Sequence, residues 1–238
     1  MAAVTTTDEA RLRAPVAQSE ETYANYAMAA RKYVVEAIGA FFLVFAVAMS
    51  GLTGSPLTPL AAGATLMVMV YAGGHISGGH FNPAVTMTVL CRRRLGIGDA
   101  VGYWIAQLVA GVVAAAAARA IVNPATVNTL HPVGHAFTAV ALVELIFTFG
   151  LCYVVLNVAT SKDQPHNEFY GLAVGFTVAG GALAVGSISG GSFNPAVSLG
   201  AATAGLFSWS TLWIYIVVQF AAGALAALTF LALNPGDR

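Results

Sequence analysis

Ser77-Gly78-Gly79-His80-Phe81-Asn82-Pro83-Ala84-Val85 returns downstream as Ser189-Gly190-Gly191-Ser192-Phe193-Asn194-Pro195-Ala196-Val197. Each copy lies inside strongly apolar sequence, and each reads as the start of a helix. Asn is a favoured N-cap, Pro is tolerated at the first helical position, and the Gly pair before them permits a tight turn. The apolar run from Asn82 ends at Leu90, before Arg92-Arg93-Arg94, so the helix spans roughly 13 Å. That is about half of a ~30 Å hydrocarbon core. Two such half-helices entering from opposite faces meet near the midplane with Asn82 and Asn194 at their tips. Irregular backbone at that depth is tolerated only where it is buried in protein or lines a wet cavity. The doubled stretch therefore predicts a pore or a binding site.

Outward from the motifs, the chain is 58% hydrophobic and 8% charged, with a mean hydropathy of +0.78. This is the composition of a polytopic membrane protein in contact with a lipid bilayer. Spans are expected at roughly 33–52, 57–74, 99–121, 136–159, 168–187 and 210–233. The fold class is thus an all-α membrane protein of six transmembrane helices and two half-helices. Residues 1–30 are polar, lack the pattern of a signal peptide, and are expected as a disordered cytoplasmic tail. A net charge of zero argues against nucleic acid as a partner. The two cysteines, Cys91 and Cys152, are read as inert.

Six spans put both termini on one side, together with Arg11, Arg13, Arg31, Lys32, Arg92, Arg93, Arg94, Lys162 and Arg238. Only Arg119 falls near the other face. This bias places the termini in the cytoplasm.

The repeat extends beyond the motifs. Glu36 on the first span and Glu144 on the fourth are the only acids inside spans, and each precedes its motif by a similar distance. The halves, about 31–121 and 136–234, share the order span with Glu, span, half-helix, span. Three spans per half make the second half inverted, a plan known from transporters and channels. Each carboxylate is expected to accept hydrogen bonds from the irregular backbone before a half-helix, a scaffold duty rather than a proton relay. Gly171 with Gly175, and Gly111, are expected where helices approach closely. His75 and His80 are spaced off a common helical face, with no Cys or acid nearby, so they read as vestibule residues and not as a metal site. His166 reads as a solvated loop residue. No cofactor is implied.

The paired Asn-Pro-Ala half-helices, His75-Ile76-Ser77-Gly78-Gly79-His80, the Glu on spans one and four, and Ile105-Ala106-Gln107 resemble the aquaporin or major intrinsic protein family over about residues 31–234. The resemblance implies an aquaporin-like channel domain, here 31–236, in a right-handed bundle assembled as a homotetramer with one pore per subunit. It places the protein in a plasma membrane, or the inner membrane of a bacterium. It implies a pore at Asn82, Pro83, Ala84, Asn194, Pro195 and Ala196, and a selectivity filter aligned with Ala62, Ala182, Gly191 and Val197. Typical water channels of the family place an aromatic, a His, a small residue and an Arg there. Val197 supplies neither the charge nor the donors of Arg, so the filter is expected to be wide and apolar. Tyr215-Ile216 stands where water channels tend to have two aromatics. Val197-Ser198 replaces the Arg-Asp usual in glycerol facilitators, and Val at position 197 resembles plant vacuolar members and some bacterial members linked to arsenical export.

The resulting expectation is a passive channel, not an enzyme, for water and small uncharged solutes: glycerol, urea, hydrogen peroxide, ammonia or neutral metalloid and arsenical acids. An orthodox water-selective channel is the alternative. A secondary transporter would need titrating groups at the midplane, and an intramembrane enzyme a nucleophile with a base. The spans supply neither.

Overall fold

A computed structural model describes residues 6–237, with side-chain burial described from residue 26. Eight helices are described: α1 Thr6–Leu52, α2 Thr58–Ser77, α3 Pro83–Cys91, α4 Ile97–Val122, α5 His135–Ala159, α6 Tyr170–Ser189, α7 Pro195–Ala204 and α8 Leu212–Leu233. Six of them are long and apolar enough to cross a membrane, the first over Tyr26–Leu52. The two short ones, α3 and α7, follow the motifs. The described residues contain no β-strand beyond a single bridge between Leu130 and Phe207.

The first span begins earlier than the hydropathy pattern places it, because α1 continues back to Thr6. The segment expected as a disordered tail is thus helical over residues 6–30, and residues 1–5 lie outside the described residues. Its Ala, Glu, Arg, Met and Gln are good helix formers, so propensity outweighs polarity there.

Each half-helix is clamped by the other half of the chain. Helix α3 packs on α8 and α7 on α4, while α2 packs on α6. Glycine makes each approach possible. A Cβ on Gly111 would lie 2.9 Å from the Ala196 carbonyl oxygen, and one on Gly223 2.6 Å from that of Ala84. Between α2 and α6, a Cβ on Gly63 or on Gly175 would collide with the other's carbonyl oxygen, and Gly171 takes the ring of Tyr71. The outside of the bundle carries large exposed apolar side chains such as Ile105, Ile146, Leu183 and Leu228, as expected of helices solvated by lipid.

Candidate functional site

The site is built on two buried carboxylates. Glu36 and Glu144 are both fully buried. Glu36 accepts hydrogen bonds from Ser77 Oγ (2.7 Å), the backbone N–H of His80 (3.0 Å) and Phe81 (2.6 Å), and Gln107 Nε2 (2.8 Å). Glu144 accepts the same set from Ser189 Oγ (2.7 Å), the N–H of Ser192 (3.0 Å) and Phe193 (2.8 Å), and Gln219 Nε2 (2.8 Å). A carboxylate offers about four lone-pair sites, and here four donors fill them. The chain before each half-helix would otherwise carry unpaired N–H groups in an apolar medium, a cost of several kcal/mol apiece.

These bonds hold a loop that the residues alone would not adopt. Helices α2 and α6 end on Gly78 (φ 92°) and Gly190 (φ 85°), followed by Gly79 (φ 65°) and Gly191 (φ 63°). Phe81 (φ 48°) and Phe193 (φ 52°) then take left-handed backbone, which costs a bulky residue about 1–3 kcal/mol. Their N–H groups are the ones bound by Glu36 and Glu144. Tyr103 and Tyr215 brace the same loops from α4 and α8, each hydroxyl donating to a carbonyl, Ser77 O at 2.6 Å and Ser189 O at 2.9 Å.

With the loops fixed, the capping asparagines meet. Asn82 Oδ1 accepts from the N–H of Ala84 at 2.8 Å, and Asn194 Oδ1 from that of Ala196 at 2.9 Å. One amide N–H of each crosses to the other half: Asn82 Nδ2 donates to Phe193 O and Asn194 Nδ2 to Phe81 O, both at 2.9 Å. The second amide hydrogen of each remains for a solute. The positive ends of α3 and α7 converge at the same point.

A string of cavities runs through this junction. One on the outer side, the side away from the termini, holds about 300 Å³ and is lined by Ala62, Ala182, Gly191 and Val197 together with Leu130 and Phe207. All four residues aligned with the filter thus share one cavity, and Thr58 is its one polar-side-chain lining residue. Inward, Val47, Ala62, Gly191 and Val197 continue into a passage of about 20 Å³ that reaches Asn82 and Asn194. A second passage of about 20 Å³ leads from Asn82 past Leu66 and Leu151 to His80. Each is room for about one water. Below, an inner cavity of about 390 Å³ is lined by Ser77, His80, Tyr103, Thr160, Lys32 and Arg94.

The two histidines part company. His80 is buried, its Nδ1 lies 3.1 Å from Thr86 Oγ1, and its ring meets Tyr103 edge-on at 5.2 Å. It lines both the inner passage and the inner cavity. His75 is exposed near the end of α2 and is not among the residues lining that inner cavity.

Several residues of the site escape a reading of the motifs alone. The side-chain amides of Gln107 and Gln219, with Thr86 and Ser198, complete the carboxylate networks that Ser77 and Ser189 begin within the motifs, and Leu130, Leu206 and Phe207 complete the outer cavity. A signal for the first group exists: they pair at the same offset that separates Asn82 from Asn194. The contacts between them repeat it, with Tyr103 to Ser77 and Tyr215 to Ser189 both 26 residues apart, and Gln107 to Thr86 and Gln219 to Ser198 both 21. In the outer-cavity group, Leu206 and Phe207 stand at that offset from Arg94 and Leu95, which line the inner cavity, while Leu130 lies between the repeats.

Known proteins share this arrangement. A family model of the major intrinsic proteins matches residues 22–230. The glycerol uptake facilitator protein-like 6 of Lactiplantibacillus plantarum is 39% identical over 216 residues, 87% of this chain and 100% of that protein. Aquaporin NIP2-1 of Oryza sativa subsp. japonica is 38% identical over 196 residues, 79% of this chain; the match spans 65% of the rice protein, just under two thirds. The X-ray structure of the aquaglyceroporin from Plasmodium falciparum superposes with a TM-score of 0.69 at 19% identity, covering 85% of this chain and 95% of that one, which shows a common fold. The doubled half-helix, the matching family model over most of the sequence and a relative aligned along its full length lead to one assignment: the chain belongs to the major intrinsic protein family, as a membrane channel for water and small uncharged solutes.

Proposed function

We propose that Ala62, Ala182, Gly191 and Val197 form a wide, arginine-free selectivity filter, and that the channel passes compact uncharged solutes beyond water: glycerol, urea, hydrogen peroxide, ammonia and neutral metalloid or arsenical acids. The observation that carries this reading is the outer cavity of about 300 Å³ which these four residues line with no charged group among them. An arginine at position 197 would bring a fixed charge and a fork of donors into that space; Val197 leaves the wall apolar. Asn82 and Asn194 supply the donors that a solute meets next, at the passage where about one water fits. Glu36 and Glu144 hold the loops, and no step of permeation runs through them.

The channel operates as a passive conduit in a plasma membrane, or the inner membrane of a bacterium, with both termini cytoplasmic. The basic residues clustered on the terminal side support that orientation, and the inner cavity carries Lys32 and Arg94 at its wall. A homotetramer with one pore per subunit is the assembly the family leads us to expect.

The test is stopped-flow light scattering on proteoliposomes with water, glycerol and urea gradients. Wild type is expected to conduct all three, and Val197→Arg to cut glycerol flux on the order of tenfold relative to water. Water flux with no solute flux in the wild type would instead establish the orthodox water-selective reading. Loss of all fluxes together in a folded Val197→Arg would overturn the filter assignment.

A further inference from the structure

The connector between the two repeats, residues 123–134, belongs to neither and has no counterpart on the opposite face of the bundle. Whatever it contributes makes the two mouths of the pore unequal. It does not pass freely over the outer mouth. Leu130 N–H donates to Leu206 O at 2.8 Å, Ser208 N–H donates back to Leu130 O at 3.0 Å, and Thr129 Oγ1 donates to Gly205 O at 2.7 Å. These bonds staple the connector to the turn that follows α7, and they form the bridge between Leu130 and Phe207.

The turn it is stapled to is itself rigid. Phe207 stacks on Tyr215 with ring centroids 4.8 Å apart, and the Tyr215 hydroxyl is held by Ser189 O. Leu206 presses on Gly51 of α1, where an added Cβ would lie 2.8 Å from its Cδ1. Leu130 therefore hangs from a fixed frame by main-chain bonds, and its half-buried side chain packs against the cluster that includes Ala201, Phe207 and Tyr215 and lines the cavity that Ala62, Ala182, Gly191 and Val197 share. Those four are small or short. Leu130 is longer than any of them, and it is the one wall residue supplied from outside the repeats.

We propose that Leu130 is a selectivity-determining residue of this channel, setting the outer aperture and hence the largest uncharged solute admitted. The inference rests on the wide-filter reading above and deepens it: where none of the four filter positions holds an arginine, a histidine or an aromatic, the isobutyl group of Leu130, beside Phe207, narrows the cavity. Because it brings bulk and no donor, it discriminates by size and not by hydrogen bonding. A hydroxylated solute that must shed water to pass an apolar wall is admitted only while it is compact enough to reach the donors of Asn194 and Asn82.

The experiment compares wild type, Leu130→Ala, Leu130→Trp and, as a control in the same connector, Val133→Ala, whose side chain is 65% exposed. Water, glycerol and erythritol fluxes are measured in proteoliposomes, with thermal unfolding in detergent as the folding check. The main-chain staple survives each substitution. Leu130→Ala is expected to raise the erythritol-to-water flux ratio on the order of tenfold, Leu130→Trp to lower the glycerol-to-water ratio, and Val133→Ala to change neither. Unchanged ratios in both Leu130 variants of a conducting, folded channel would overturn the inference while leaving the channel reading intact. Water and solutes falling together in both variants would also overturn it, since that is a structural effect. A wild type that conducts no solute at all fails the wide-filter reading itself, a distinct outcome.

Discussion

The two carboxylate networks are near copies, whereas the two mouths of the pore are not alike. Around Glu36 and Glu144 the donors match type for type: a serine hydroxyl, two consecutive backbone N–H groups and a glutamine amide. At the outer mouth the wall is Ala62, Ala182, Val197 and Leu130, while at the inner mouth it is Ser77, His80, Tyr103, Arg94 and Lys32. The difference teaches where selection for structure and selection for solute act. The inverted repeat builds a loop that has to be identical twice, because each half-helix tip is cross-linked to the other. The repeat is broken at the connector and at His80, whose partner position holds Ser192, whereas the proposed filter residue Val197 is matched by Val85 and differs from it in the mouth it faces.

The strongest way to break that equivalence is to neutralise each carboxylate in turn. In Glu36→Gln or Glu144→Gln one oxygen becomes an NH₂ group facing two donors, so two buried N–H or O–H groups lose their acceptor. We expect each substitution to cost about 3–5 kcal/mol, by equal amounts and with loss of conduction. Thermal unfolding of the two variants in detergent checks this. A clearly smaller loss for one of them would show that the two networks are not equivalent supports.

A smaller effect probes the clamps. Gly111→Ala puts a Cβ against the Ala196 carbonyl and Gly223→Ala puts one against that of Ala84, and overpacking of this kind costs about 1–3 kcal/mol. Gly180, on α6, has nothing within 4 Å of an added Cβ. Gly180→Ala should therefore be neutral or mildly stabilising, since Ala is favoured over Gly in a helix by about 1 kcal/mol. The three variants, ranked by unfolding temperature, separate helix propensity from contact. If Gly111→Ala and Gly180→Ala behaved alike, the close packing of α4 on α7 would carry no weight.

Much of this architecture is legible in the sequence for a physical reason: Asn-Pro at a helix start, paired glycines before it and a lone acid in an apolar span are local choices with few alternatives. Glu36 and Glu144, Asn82 and Asn194, and the six spans are all visible that way. The left-handed backbone at Phe81 and Phe193 is not, because phenylalanine carries no preference for it and the conformation is imposed by carboxylates on other helices. Nor is the crossing of each Asn amide to the opposite loop, since a carbonyl acceptor leaves no mark on residue identity. Leu130 is hidden for the same reason, its position being set by main-chain bonds to residues far along the chain. The tail of α1 misleads because its polarity hides good helix formers.

The smallest expected effect sharpens the contrast between the mouths. The inner side carries a charged clasp in place of the apolar staple of Leu130. Asp237 is buried, and its carboxylate meets Arg92 Nη2 at 3.0 Å and Arg94 Nη2 at 3.2 Å and accepts from the Lys162 N–H at 2.8 Å. Arg92, itself fully buried, also binds Thr160 Oγ1 at 2.7 Å and lies over the Phe230 ring at 4.3 Å. Arg94 and Thr160 line the inner cavity, so the clasp ties the wall of that cavity to the end of α3 and to the chain after α8. Burial alone would raise the Asp237 pKa, but the Lys162 N–H and Arg92 outweigh it and hold the group at about 2. An unfolded aspartate titrates near ~3.9. A pKa lowered by folding means that the contribution is fully present above about pH 4 and is lost as pH falls through about 2. Asp237→Asn should accordingly lower the unfolding temperature at neutral pH by about 2–4 °C, and the gap to wild type should close as the pH approaches 2. Unfolding curves of both proteins across that range decide it: a gap that stays constant down to pH 2 would mean that shape at position 237, and not its charge, holds the inner mouth together.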